Sequence, residues 1–109
     1  MVELWQTEWC PASRRVRQRL TELGIDYISR QVPVEREQRT LLQKRTGGDS
    51  IPVLVTADGD IVGGEQAITA YLDTRIPEPP EARAHHEKAE KARRRYLQEE
   101  CECSQPATH

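Results

Sequence analysis

Thr7-Glu8-Trp9-Cys10-Pro11-Ala12-Ser13 joins a short alternating apolar segment to a basic amphipathic one, and its reading decides the fold. On its N-terminal side, Val2 to Gln6 alternates weakly in the manner of a strand. On its C-terminal side, Ala12, Val16, Leu20 and Leu23 recur at helical spacing, arginines fill the opposite face, and Gly24 supplies the stop. Pro11 fits the first helical position, where a missing N–H costs nothing, so Cys10 falls at the helix N-terminus. Unpaired amides and the helix dipole there favour a thiolate over a thiol. Ser13 either donates its hydroxyl to that thiolate or acts as an ordinary first-turn residue serving a backbone donor. Arg14, Arg15 and Arg17 add cations nearby. The plain alternative for Cys10 is a small buried hydrophobe, and its place between a strand and Pro11 weighs against that.

With 109 residues the chain suffices for one domain around a single core and is too short for two well-packed ones. Aromatics make up 5% and phenylalanine is absent, so the core has to come from Val, Ile and Leu. A net charge of −2 gives no electrostatic reason to expect nucleic acid or an anionic membrane as partner. No apolar run approaches the roughly 18 residues of a membrane helix, and Met1-Val2-Glu3-Leu4 lacks the order of a secretory signal. A cytoplasmic protein is expected. Three cysteines, two of them in a polar tail, do not make a secreted disulfide framework. In a reducing compartment they read as reactive or incidental.

The remaining chain follows in order. Ile25 to Val32 alternates with β-branched and aromatic residues until Pro33, which predicts a second strand. Glu35 to Arg45 predicts a charged helix with Leu41 and Leu42 as its apolar contacts, ended by Thr46-Gly47-Gly48-Asp49-Ser50. Ile51-Pro52-Val53-Leu54-Val55 predicts a third strand, Ala57-Asp58-Gly59-Asp60 a hairpin turn, and Ile61-Val62 the short partner strand. Gly63-Gly64 then punctuates a helix carrying Ala67, Ile68, Tyr71 and Leu72 on one side. The order βαβ then ββα predicts an α/β fold with a four-stranded mixed sheet flanked by helices. Reactive loops of such sheets lie at the carboxyl ends of strands, and Cys10 satisfies that rule.

After Ile76 the prolines 77, 79 and 80 make a stiff connection into a helix over residues 81–100 that is dense in Ala, Glu, Lys and Arg. Glu87 with Lys91 and Glu90 with Arg94 have the favourable i,i+4 order. Its apolar face, Ala82, Ala89, Ala92, Tyr96 and Leu97, is enough to lean on the domain, on a second copy or on another partner, and too little for a core. The expected organisation is a domain at 1–76, a connection and helix at 77–100, and a disordered tail at 101–109. Cys101 and Cys103 with His85, His86 and His109 lack the paired spacing of a zinc site, so no metal is expected. A tail thiol resolving a Cys10 disulfide is the sharper reading of the tail, and an incidental polar end the plainer one.

Trp9-Cys10-Pro11-Ala12-Ser13, Leu42 before Thr46-Gly47, Ser50-Ile51-Pro52-Val53 and Gly63-Gly64-Glu65-Gln66 together resemble the active-site, Thr-Gly, Thr-Val-Pro and Gly-Gly segments of glutaredoxins. Glu65-Gln66-Ala67-Ile68 with Tyr71-Leu72 also looks like the N-terminal domain of glutathione transferases. Both share the thioredoxin fold, and the resemblance covers residues 2 to about 75. It implies glutathione as co-substrate, with Trp9 and Pro11 beside it and Ile51 bonding its cysteinyl backbone ahead of a cis Pro52. A trans edge-strand proline is the other reading of Pro52. Glu65 and Gln66, at a helix N-terminus suited to a carboxylate, would meet the γ-glutamyl end, although Glu65 is equally a sensible first-turn residue. Arg39 matches the position that contacts the glycyl carboxylate.

Ser13 stands where dithiol members carry their second cysteine, which implies a monothiol route with Cys10 and Ser13 as the catalytic pair. Thr7 stands where glutaredoxins commonly carry a lysine, and Arg14 or Arg15 is the substitute cation. The resemblance thus implies a monothiol oxidoreductase that reduces glutathione mixed disulfides of proteins. Its rivals are a transferase-type domain and a glutathione-dependent iron–sulfur carrier or adaptor. Pro11 weighs against the carrier, since cluster-binding members typically have glycine there.

Overall fold

The computed structural model describes the backbone of residues 1–103 and the side chains of residues 1–97. The chain divides into a unit Met1–Glu78 and a second unit Pro79–His109. In the first, β1 (Val2–Gln6), α1 (Pro11–Glu22) and β2 (Tyr27–Gln31) precede a single 3-10 turn (Arg36–Gln38) and α2 (Thr40–Thr46). Next come β3 (Val53–Val55), β4 (Ile61–Gly63) and α3 (Glu65–Arg75). The four strands form one sheet in the order β2-β1-β3-β4. β1 runs parallel to β2, with Val2 opposite Tyr27, while β1 and β3, and β3 and β4, are antiparallel. This is the thioredoxin-like arrangement expected of the sequence.

The two central strands bury both faces. Because side chains alternate along a strand, Leu4 and Leu54 face one way, into a cluster with Val16, Leu20 and Leu23 of α1 and its exit and Ile68 and Leu72 of α3. Trp5 and Val53 face the other way, onto Val32, Leu42 and Ile51. The edge strands β2 and β4 stay largely exposed. Removing buried methylenes from such a core costs about 2–5 kcal/mol per Leu→Ala change.

Several boundaries differ from the sequence reading. β2 starts at Tyr27, because Gly24 (φ 71) turns the chain and the Ile25 amide bonds back to Leu20 O at 2.9 Å, closing α1. The expected helix over 35–45 is broken at Arg39, whose backbone (φ −84, ψ 50) separates the 3-10 turn from α2. β3 begins at Val53, since Pro52 has no N–H to give a ladder and the Ile51–Pro52 peptide is cis. Beyond β3, Thr56 closes the hairpin: its N–H donates to Asp60 O at 2.9 Å, and its hydroxyl accepts from the Asp60 amide at 3.0 Å.

The second unit is described by α4 (Ala82–Cys103), which continues past residue 100 where the sequence suggested a tail. Residues 104–109 and the side chains of Cys101 and Cys103 lie outside the described residues. Arg83 pairs with Glu87 at 3.6 Å and Arg93 with Glu90 at 3.2 Å along the helix surface. Among the described residues no helix is long and apolar enough to cross a membrane.

Candidate functional site

The strand register brings the sequence-predicted residues to one end of the sheet. Trp5 of β1 lies opposite Val53 of β3, so the chain leaves β1 toward Cys10 on the edge where Ile51 and Pro52 enter β3. Val53 in turn lies opposite Gly63, so α3 starts from the same edge. The Gly64 amide donates to Pro52 O at 2.9 Å and joins these last two segments directly. β2 ends there too, with the Val32 amide bonded to Gln6 O at 3.0 Å.

Cys10 is the N-cap of α1, in extended conformation (φ −78, ψ 121), with Pro11 at the first helical position. Its carbonyl accepts the first helical bond, from the Arg14 amide at 3.0 Å, and its thiol is half-buried and free. Burial on its own would raise the thiol pKa. It is outweighed by the Ser13 amide and hydroxyl, the Ala12 amide and the charge of Arg15, which together bring the thiol below its ordinary value. These are the amides at the second and third helical positions, the donors that an N-cap side chain normally serves.

Ser13 is completely buried; its Oγ makes no regular hydrogen bond, and the group it acts on is the Cys10 sulfur. A buried hydroxyl without a partner is costly, and this one faces the sulfur, so its natural acceptor is the Cys10 thiolate. Of the two sequence readings of Ser13, thiolate support therefore fits the burial better than a backbone-serving first-turn role. Trp9, next to Cys10 in the chain, is 81% exposed, an aromatic surface open to a ligand.

Arg15 and Glu65 tie the two helix starts together. The Arg15 guanidinium donates through Nε to Glu65 Oε2 and through a terminal nitrogen to Oε1 at 2.9 Å, in a two-pronged pair. The pair holds the Glu65 carboxyl below its usual range and raises Arg15 further. Of the two arginines weighed as substitutes for the lysine missing at Thr7, it is Arg15 whose charge bears on Cys10. Gln66 follows Glu65 in the first turn of α3 and is exposed.

Arg39 has three backbone partners: Nε donates to Pro33 O at 2.8 Å and the terminal nitrogens to Asp49 O at 2.7 Å and Val34 O at 3.0 Å. With Arg36, which pairs with Asp49 and bonds Ser50 Oγ at 3.0 Å, it fastens the segment after β2 to the segment before Ile51. A carboxylate reaching Arg39 would have to use the guanidinium N–H groups left over.

One group escaped the sequence reading altogether. Gln6 is fully buried, with Nε2 donating to Ser29 Oγ at 2.8 Å and Glu8 Oε1 at 3.1 Å, and Oε1 accepting from Arg17. Arg17 also donates to Thr7 O at 3.4 Å and pairs with Glu8 at 3.4 Å. Hydrogen bonds from Gln6 and Gln31, then the charge of Arg17, hold the Glu8 carboxyl below its usual range. The loop leading to Cys10 is thus held from behind by α1 and β2. A polar residue at the inward register of a half-apolar strand was the available signal. Among the described residues, no three His, Cys, Asp or Glu side chains come together as a metal would require.

Comparison with known proteins agrees with this geometry. The model of the glutathione S-transferase N-terminal domain matches residues 9–75. No curated protein matches the chain. Among solved structures, a glutathione S-transferase from Rhodospirillum rubrum F11 is 32% identical over 72% of this chain and 35% of its own, with a TM-score of 0.62. A glutathione S-transferase from Methylobacillus flagellatus KT with GSH bound is 28% identical over 71% of this chain and 38% of its own, TM-score 0.60. FzlA from C. crescentus is 26% identical over 72% and 36%, TM-score 0.65. The chain therefore spans little more than a third of the length of these relatives. With a thioredoxin-like sheet, a helix-capping cysteine and this match over most of its first unit, the chain belongs to the glutathione S-transferase N-terminal domain family.

Proposed function

We propose that this chain carries out glutathione-dependent thiol–disulfide exchange at Cys10 by a monothiol route. The observation that carries the reading is the surrounding of the sulfur: an N-cap position, two first-turn amides, and a buried Ser13 hydroxyl with no other partner. All three stabilise negative charge on Cys10 itself, and the attacking species in exchange is the thiolate.

In the first step the Cys10 thiolate attacks the glutathionyl sulfur of a mixed disulfide with a protein. The new S–S bond forms as the old one breaks, and the protein thiolate leaves and takes a proton from solvent. A second glutathione, as thiolate, then attacks the glutathionyl sulfur on Cys10, giving glutathione disulfide and returning the Cys10 thiolate. Ser13 cannot form a local disulfide, so the intermediate waits for that second glutathione. The Ile51 backbone would bond the cysteinyl part of glutathione, the α3 start at Glu65 and Gln66 its γ-glutamyl carboxylate, and the spare Arg39 donors its glycyl carboxylate. Trp9 and Pro11 would flank it. A reducing compartment such as the cytoplasm would supply the reductant.

Conjugation of glutathione to an electrophile is the second reading, favoured by the family match. It requires the site to stabilise the thiolate of glutathione, and a Cys10 thiolate in the same place would oppose that charge. The two separate by assay: release of glutathione from a glutathionylated peptide against conjugation of an aromatic electrophile. Exchange predicts the first activity, abolished in Cys10→Ser and retained when Cys101 and Cys103 are both replaced by Ser. Release that survives Cys10→Ser overturns the reading, as does conjugation without any release.

A further inference from the structure

Two ion pairs link α1 to α3, and one of them lies nearer the end of α1 that Cys10 caps. Arg19 pairs with Asp73 at 3.0 Å, one helical turn farther along α1. Arg15 pairs with Glu65 at the first position of α3. The other charged groups around the Cys10 loop are committed elsewhere: Arg17 to Gln6, Thr7 O and Glu8, and Glu8 to Gln6, Gln31 and Arg17. Arg14 lies on the same first turns of α1 and adds its positive charge around Glu65. Arg15 is therefore held by the Glu65 carboxylate while its charge also acts on the Cys10 sulfur five residues back along the same helix.

We propose that Glu65 is a positioning residue for Cys10: its two-pronged grip withholds the Arg15 guanidinium from the sulfur and so restrains the nucleophile. A cation paired with a carboxylate presents to a third group a dipole rather than a full charge, and its field falls off faster with distance. Arg15 is half exposed and has a long, flexible stem. Released from Glu65, it is drawn to the remaining negative charge, which is the thiolate. The inference rests on Cys10 being the reactive group of the proposed exchange, but thiolate formation is measured without glutathione, so each idea can fail alone.

The test is the rate of iodoacetamide alkylation of Cys10 against pH, in full-length protein with Cys101 and Cys103 replaced by Ser. Glu65→Gln moves the midpoint down by a few tenths of a pH unit, the scale of a partly exposed ion pair. Arg15→Gln moves it up. In Arg15→Gln the further change Glu65→Gln has at most half its effect, because the restraint acts through the guanidinium. Glu65→Asp stays near the parent. Asp73→Asn breaks the other link between the helices and leaves the profile in place, which separates charge from packing. Glu65→Ala carries the same expectation as Glu65→Gln should the amide variant fold poorly. An unmoved or raised midpoint in both Glu65 variants overturns the proposal, and so does an Asp73→Asn shift of equal size. An undiminished Glu65→Gln shift without Arg15 overturns it as well.

Discussion

The Gly64 amide donates to the Pro52 carbonyl at 2.9 Å, and this bond fixes the start of α3 against the entry to β3. Gly64 makes it from a backbone conformation (φ 92, ψ 151) that residues with a Cβ adopt only under strain. The two segments on either side of the β3–β4 hairpin, both assigned to glutathione in the proposed function, are thereby held in one frame. The bond itself is made by backbone atoms alone.

Gly64→Ala isolates that backbone contribution. Nothing lies within 4 Å of where the new Cβ would stand, so the cost is conformational strain alone. A loss of about 1–3 kcal/mol is expected by urea denaturation, with weaker glutathione binding by calorimetry. Unchanged stability would mean that the loop relaxes without consequence.

Ser13→Ala removes a buried hydroxyl that makes no regular hydrogen bond and acts only on the Cys10 sulfur, so stability should hold or rise slightly. The thiol should nevertheless become harder to ionise, because one of the donors that lower its pKa is gone. Alkylation against pH would show the midpoint moving up, while the thermal midpoint would not fall. A large loss of stability would instead assign the hydroxyl a structural role.

The order of elements and the place of Cys10 at a helix start were legible because they follow from periodicity and punctuation: Val16, Leu20 and Leu23 on one helical face, Pro11 at the start, Gly24 at the stop. Arg39 was not. Its acceptors, the carbonyls of Pro33, Val34 and Asp49, come from segments that meet only once the chain has folded, and backbone oxygens leave no mark in a sequence. A run of helix-forming residues therefore looked continuous where the Arg39 backbone interrupts it. Gln6 was missed for a related reason: its burial depends on Ser29, Glu8 and Arg17 together, and each alone looks like a surface residue.

Arg39→Gln tests the fastening directly. Gln reaches fewer acceptors and carries no charge, so the carbonyls lose charge-assisted bonds worth about 1–3 kcal/mol net. The loss should appear as a lower urea midpoint without added glutathione. If Arg39 served only a ligand, stability would be unaffected and only binding would suffer.

The acid limb of stability should depend on Glu8 and Glu65. Hydrogen bonds from Gln6 and Gln31 hold the first carboxyl low, and the Arg15 pair holds the second. Each group thus keeps its proton less tightly in the folded chain than in the unfolded one, and unfolding at low pH takes up protons. The stabilisation is present above the ordinary carboxyl range and is lost as pH falls through the lowered folded values. Both groups stay in contact with solvent, so the effect is a modest slope rather than a collapse. Thermal midpoints measured from pH 7 downward should fall less steeply in the Glu8→Gln and Glu65→Gln double variant than in the parent. Parallel curves would place the acid sensitivity in other carboxyls.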